Sequence, residues 1–422
     1  MGRVPSRLRK PLFIGLPLVL LVLLVTGVVF FPGGGRSDEH GHMAANQAQL
    51  KRACAGLLPY AELRGLVPDD VAGEVSQYGT VLDPGEDSHS LVNCSVTWPG
   101  HGSVRVQAVA LISEMPLTLR AEEILPGVGN DGYEAPGLTG RVDERGRTWV
   151  VAECPGGLAG RARKVSGMYV TADVDLPVPG KGKPAGYLYD FRTAVQVANG
   201  ITAAQKCGGS PLKPPTRVLD TYEAHVTRDA DGGNMKVVGI DEPGLGVKKC
   251  RGVGRRAGFP GKWTASGDLQ DSRLVSVCTA TVLDREDSME TDPTPPDGAV
   301  VEVSAASWSG PLRESADAQY EHSGDSFGFR DGKRTRDIPD SGSRELALWA
   351  GSECAAGSTY HRVTVRMETN DLSAYTLTEA ERTKYSNDAR KLMDSYLADP
   401  DGWPQQQGCH ESKILGEVEG WW

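Results

Sequence analysis

Each thing this chain lacks removes a class of function. None of its eight cysteines forms C-x-x-C, and only Cys409 has a histidine beside it, His410, so disulfides are favoured over a zinc site. No spacing of carboxylates marks an acid/base pair, because the acids are scattered through loop-like stretches. We therefore assign no catalytic residue, cofactor or metal from the sequence. The first 31 residues carry four bases and no acid, so of the formal net charge of -10 the remainder carries -10 - 4 = -14. That balance excludes nucleic acid or an anionic lipid surface as the main partner of the folded part. Aromatics make up only 6% of the chain, whereas 52 glycines and 27 prolines describe a loop-rich, β-containing protein. At 422 residues it is too long for one ordinary core.

Charge is also missing from Pro11 to Phe31, P-L-F-I-G-L-P-L-V-L-L-V-L-L-V-T-G-V-V-F-F, a run long enough to cross a bilayer as a helix. No A-x-A-like cleavage site and no lipid-accepting cysteine follow it. Residues 1–10 hold Arg3, Arg7, Arg9 and Lys10. The positive-inside bias then makes 1–10 a cytoplasmic tail, 11–31 a transmembrane helix in contact with the lipid bilayer, and 32–42 a tether. Everything beyond is expected outside the cell, where cysteines oxidise.

What is present in excess is self-similarity. W-V-V-A-E-C, Trp149 to Cys154, returns as W-A-G-S-E-C, Trp349 to Cys354. The cysteines recur in order: Cys54 and Cys250, Cys94 and Cys278, Cys154 and Cys354, Cys207 and Cys409, at shifts of 196, 184, 200 and 202. V-R-V-Q-A, Val104 to Ala108, is answered by V-E-V-S-A, Val301 to Ala305, at a shift of 197, and both alternate as half-buried strands do. The second copy is shorter between its first two cysteines. It is longer before V-E-V-S-A, where a proline-rich acidic insertion reads as a surface loop. We expect one domain over 43–207, a linker over 208–215 and a repeat of that domain over 216–422.

Each copy should open on a helix, run through strands and close on a helix. In the first, A-N-Q-A-Q-L-K-R-A-C-A-G-L-L opens, and a helix with Leu188, Phe191, Val195 and Ala198 on one face closes. In the second, Thr378 and Glu381 form a capping box ahead of a stripe of Tyr385, Ala389, Leu392, Met393 and Tyr396. The order argues for α+β domains, each an antiparallel sheet with helices on one face. The duplication keeps bridges within a copy, and the expected pairs are Cys54 with Cys94, Cys154 with Cys207, Cys250 with Cys278, and Cys354 with Cys409.

The helix ending in C-x-G-L-L, the C-S-V-T-W strand, the P-G-V-G-N-D-G-Y loop and the late cysteine at a helix end resemble the extracytoplasmic lipoproteins of actinobacteria. They also resemble the extracellular sensor domain of mycobacterial Ser/Thr kinases. The resemblance covers mainly Cys54 to Cys207 and implies an α+β fold with intradomain disulfides and a binding or sensing role. A membrane anchor in place of a lipidated cysteine, the duplication and the lack of a kinase depart from that pattern.

Several short motifs have plainer readings. Gly127 to Gly132 fits G-x-G-x-x-G but lacks the flanking strand and helix, so it reads as a loop. Gly324 to Gly328 fits G-x-S-x-G, which would make Ser326 a nucleophile served by Asp337 or Asp340 and by His361 or His410, yet its flanks are polar. Asp38 to His42 reads as a spacer, Asp229 to Asn234 as a turn, and Trp421 with Trp422 as a buried end. On a strand, Trp149 and Glu153 share a face opposite Cys154, and Trp349 and Glu353 do so opposite Cys354. These four residues are the candidate binding surface. The expected role is binding of an envelope ligand or surface protein, with scaffolding of envelope partners as the alternative and a Ser326 hydrolase as a further one.

Overall fold

The computed structural model describes residues 41–85, 88–111, 132–142, 146–158, 165–180, 183–221, 226–228, 235–237, 250, 252–253, 263–269, 271–282, 299–314, 316–317, 329–330, 333–334, 344–367 and 378–420. The expected membrane span, the tether up to His40, Ser326 with Asp337 and Asp340, most of the G-x-G-x-x-G loop, the 229–234 turn and the terminal tryptophans lie outside these residues. Among the described residues no helix is long and apolar enough to cross a membrane.

The protein is α+β with two antiparallel sheets. Helix α1 spans Met43–Arg52 and α2 Tyr60–Leu63; then come β1 Glu74–Tyr78, β2 Ser90–Trp98, β3 Gly102–Ala110, β4 Tyr133–Glu134, β5 Gly140–Val142, β6 Thr148–Glu153, β7 Gly167–Asp175, α3 Lys183–Gln205 and β8 Leu219–Asp220. After two short hairpin strands, β9 Val226–Arg228 and β10 Met235–Val237, the second half runs β11 Trp263–Gly267, β12 Val275–Val282 and β13 Val300–Trp308. It continues through β14 Phe329–Arg330, β15 Lys333–Arg334, β16 Arg344–Cys354, β17 Gly357–Met367, α4 Glu379–Ala398, α5 Trp403–Gln406 and β18 His410–Gly420.

The first sheet has the order β1-β2-β3-β7-β6-β5-β4-β8 and the second β11-β12-β13-β17-β16-β18. Their first five strands correspond one to one, so the duplication is visible as a five-stranded antiparallel unit. Strand β8 comes from beyond the linker yet pairs with β4 of the first sheet, and β18 adds an outer strand to the second.

Alternation explains the packing. In the first sheet Val92, Cys94, Val96, Val104, Val106, Ala108, Met168, Val170, Ala172, Val150 and Ala152 are buried on one face. Helix α3 crosses that face and buries Phe191, Ala194, Val195, Ala198 and Ile201. Leu188, expected in the stripe, is half-buried, and its place toward the sheet is taken by Asp190. Helix α4 covers the second sheet with the expected stripe, and its capping box between Thr378 and Glu381 is formed. The disulfides are Cys54–Cys94, Cys154–Cys207, Cys250–Cys278 and Cys354–Cys409, each within one copy.

Two expectations are corrected. The opening helix ends at Arg52, because Cys54 and Ala55 take left-handed φ of 53° and 58°. The turn aims Cys54 at Cys94, and its N–H donates to Gln77 Oε1 at 2.8 Å. The strand equivalence between Val104–Ala108 and Val301–Ala305 slips by two residues. Cys94 faces Val106 and Cys278 faces Ala305, so the true shift is 199. A two-residue slip leaves every side chain on its own face, so alternation alone does not detect it.

Residues His42 to Trp422 form one compact unit. The core of the first sheet continues into Leu274, Val275, Val277, Ala306, Trp308, Leu312, Ala316 and Trp349 of the second. The loop 268–274 between β11 and β12 makes the polar contacts. Leu269 N–H donates to Glu134 Oε2 at 2.6 Å, the hydroxyls of Ser272 and Thr139 lie 2.5 Å apart, and Arg273 pairs with Glu153. A Cβ added to Gly167 would lie 2.4 Å from Pro311 Cβ, a measure of how closely β7 meets the turn after β13.

Candidate functional site

The four residues singled out from the sequence do not form one surface. Trp149 is 3% exposed and stacks on Tyr169 at 5.5 Å between ring centroids. Trp349 is fully buried, 5.8 Å from Trp308 and edge-on to Tyr360 at 6.3 Å, with the Arg362 guanidinium 5.6 Å from its ring centre. Glu153 is taken by Arg273 of the second copy, whereas Glu353 is exposed and accepts the Ser358 hydroxyl at 2.5 Å. Both tryptophans belong to the core that joins the copies. Neither offers a ring face to a ligand.

A different cluster stands out when the copies are superposed by strand register. In the first sheet one row reads Val92, Ala108, Val170, Val150, all apolar and buried under α3. The matching row of the second sheet reads Ser276, Ser307, His361, Ala350. Two residues along β16, Ser352 stands where the first copy has Ala152. Polar groups have thus replaced apolar ones at neighbouring buried positions of one framework, and burying them costs stability unless they pair.

They do pair. His361, with no exposed surface, shares hydrogen bonds with Ser307 Oγ through Nδ1 at 2.6 Å and with Ser352 Oγ through Nε2 at 3.0 Å. Ser307 Oγ also meets the Tyr396 hydroxyl of α4 at 2.8 Å, and Ser352 Oγ meets the exposed Ser412 of β18 at 2.7 Å. A chain of hydroxyls and one imidazole therefore runs from the helix-covered core to the surface. Burial pushes the His361 imidazolium down to about 3 and raises the Tyr396 phenol.

Chemically, the Ser352–His361 pair has the spacing of a nucleophile and its base, but an imidazole driven that low is a poor base at neutral pH. A neutral imidazole is instead the metal-ligating form. One ring nitrogen of His361 and the sulfurs of Cys354 and Cys409 all lie within 4.8 Å of one another. The signal that could have revealed this cluster is inside the repeated string itself: the alanine of W-V-V-A-E-C is a serine in W-A-G-S-E-C.

A second feature is the face of the first sheet opposite α3. Tyr78, Asn93, Gln107 and Thr171 pair in register across four strands, and the row continues into the covered Trp149. Tyr78 is 52% exposed and accepts a hydrogen bond from Asn93 Nδ2 at 2.8 Å. Beside this row Arg105 pairs with Asp173 at 3.5 Å. Loss of water raises the Asp173 carboxyl above its ordinary value, with Arg105 opposing.

These features define a tandem α+β, disulfide-bonded protein with its two copies joined through one core. No protein-family model, curated protein or solved structure matches the chain.

Proposed function

We propose that the chain is a single-pass protein of the bacterial cell envelope, anchored through 11–31 with its N-terminus in the cytoplasm, that binds or senses an extracytoplasmic partner and catalyses no reaction. Eight cysteines closed into four bridges support an oxidising compartment. The apolar run 11–31 supports the anchor. The short motifs of the first copy support kinship with the actinobacterial lipoproteins and the kinase sensor domain.

The observation that carries the binding role is the open polar row Tyr78, Asn93, Gln107 and Thr171, left uncovered beside the second copy. Its breadth suits a macromolecular partner, which also favours the second reading, a scaffold for envelope assembly. The test is a photo-crosslinking residue at Gln107 in living cells. A discrete adduct that disappears with Asn93→Arg supports binding on this face. The same adducts from the exposed Gln196 on α3 would show that the face is not selective.

A further inference from the structure

We infer that, once a phosphine or dithiol reductant opens the Cys354–Cys409 bridge, the two sulfurs and the His361 ring hold a divalent metal ion of borderline softness, Zn2+ above all. This goes beyond the binding role above and does not depend on it. Three observations carry it. The ligand atoms already lie within 4.8 Å of one another. A tetrahedral zinc site needs them about 3.5–3.8 Å apart, with Zn–S of about 2.3 Å and Zn–N of about 2.0 Å, so the freed sulfurs must separate from their bonded distance while the ring nitrogen closes by about 1 Å at most, movements that side-chain rotation supplies. The His361 ring is held by Ser307 on Nδ1 and Ser352 on Nε2. Donation of Nδ1–H to Ser307 would fix the ring's orientation, as an outer partner does in metal sites, and leave Nε2 as an acceptor whose bond from the Ser352 hydroxyl the metal would displace.

The third observation is a control within the molecule. Cys154–Cys207 occupies the same place in the first copy, but the residue matching His361 is Val170, and among the described residues no third ligand stands by that bridge. Cys154 and Cys207 are fully buried, as are Cys54 and Cys250, and Cys94 and Cys278 are 1% exposed, whereas Cys354 is half-buried at the end of its strand. A solvent reductant therefore reaches the bridge beside the histidine before the others.

The chemistry balances. A phosphine and one water convert the disulfide to two thiols, with the phosphine leaving as its oxide. Metal binding then releases the two thiol protons and displaces metal-bound water. Three protein ligands leave the fourth tetrahedral position to water.

The test treats the full chain with a limiting amount of phosphine, maps free thiols by alkylation and mass spectrometry, and titrates with Co2+ as an absorbing substitute for Zn2+. The expected result is free thiols at Cys354 and Cys409 alone, one Co2+ per chain and a sulfur-to-cobalt charge-transfer band. The band should be absent before reduction and restored to absence on reoxidation. His361→Val, which installs the residue of the first copy, should weaken binding at least about tenfold. Free thiols at both positions without a cobalt band, or an unchanged affinity in His361→Val, would overturn the inference. Unfolding of the reduced chain that metal does not reverse, followed by circular dichroism, would overturn it too.

Discussion

Asp190 sits between helix α3 and the strands beneath it, 4% exposed, accepting the Val174 N–H at 2.7 Å and the Thr148 hydroxyl at 3.4 Å. Burial, with Asp173 nearby, lifts its carboxyl from 3.8 to about 7. The folded state therefore holds a proton that the unfolded chain releases between pH 4 and 7. Its contribution to stability is greatest below pH 4, falls as pH rises to about 7, and is constant above. Asp190→Asn keeps an acceptor for Val174 and should remove this slope, gaining at most about 4 kcal/mol at pH 8 by the usual 1.36 kcal/mol per unit. Urea unfolding of both forms from pH 4 to 8 checks it, and parallel pH profiles would refute it. Trp349→Ala should cost about 3–5 kcal/mol, because it empties the contact with Trp308 and Tyr360. At this scale the sequence misled in an instructive way. Trp149 and Trp349 mark equivalent strand positions and make their ring contacts within their own copies, yet both are buried in the core that joins the copies, which no local pattern encodes. Asp190 was missed, and His361 was read only as a partner for Ser326, because polar residues at core positions break the very periodicity used to find a core.

Among the elements, the seven residues between β11 and β12 matter most. Ser272 Oγ accepts the N–H groups of Leu274 and Val275 at 2.9 and 3.2 Å while meeting Thr139, and its carbonyl accepts Trp403 Nε1–H at 2.7 Å. One residue thus ties this loop to the first sheet and to α5. Ser272→Ala strands those backbone donors and should cost about 1–3 kcal/mol, read from the denaturant midpoint at unchanged slope. The matching loop of the first copy, between β1 and β2, is longer, and the shortening was visible in the cysteine shifts. Its consequence was not, since a loop's partner lies more than a hundred residues away. Strands, closing helices and the capping box were legible because alternation, the 3.6-residue period and the Thr-x-x-Glu signature are local. The register slip in β13 was not, because a period of two hides a shift of two.

For the whole molecule, a core that passes from one sheet into the other argues against independent units. The linker is also fastened to α3: Asn199 holds Leu212 through both its amide groups at 2.8 Å, and Arg192 donates to the Pro215 carbonyl at 3.0 Å. Residues 42–422 should therefore melt in one cooperative transition, and two separated calorimetric peaks would contradict this. That the chain is a duplication was readable from cysteine order. That the copies would be fused was not, because the residues that join them look like ordinary sheet-covering residues. The bridges have a mechanical corollary. They close loops of 40, 53, 28 and 55 residues, and tension applied along the backbone bypasses everything inside a closed loop. At about 3.4 Å per extended residue, the 55-residue loop at Cys354–Cys409 alone withholds about 190 Å of slack. An oxidised chain under load is short and stiff, and opening the one half-buried bridge would free that length to extend once the strand and helices it encloses unfold.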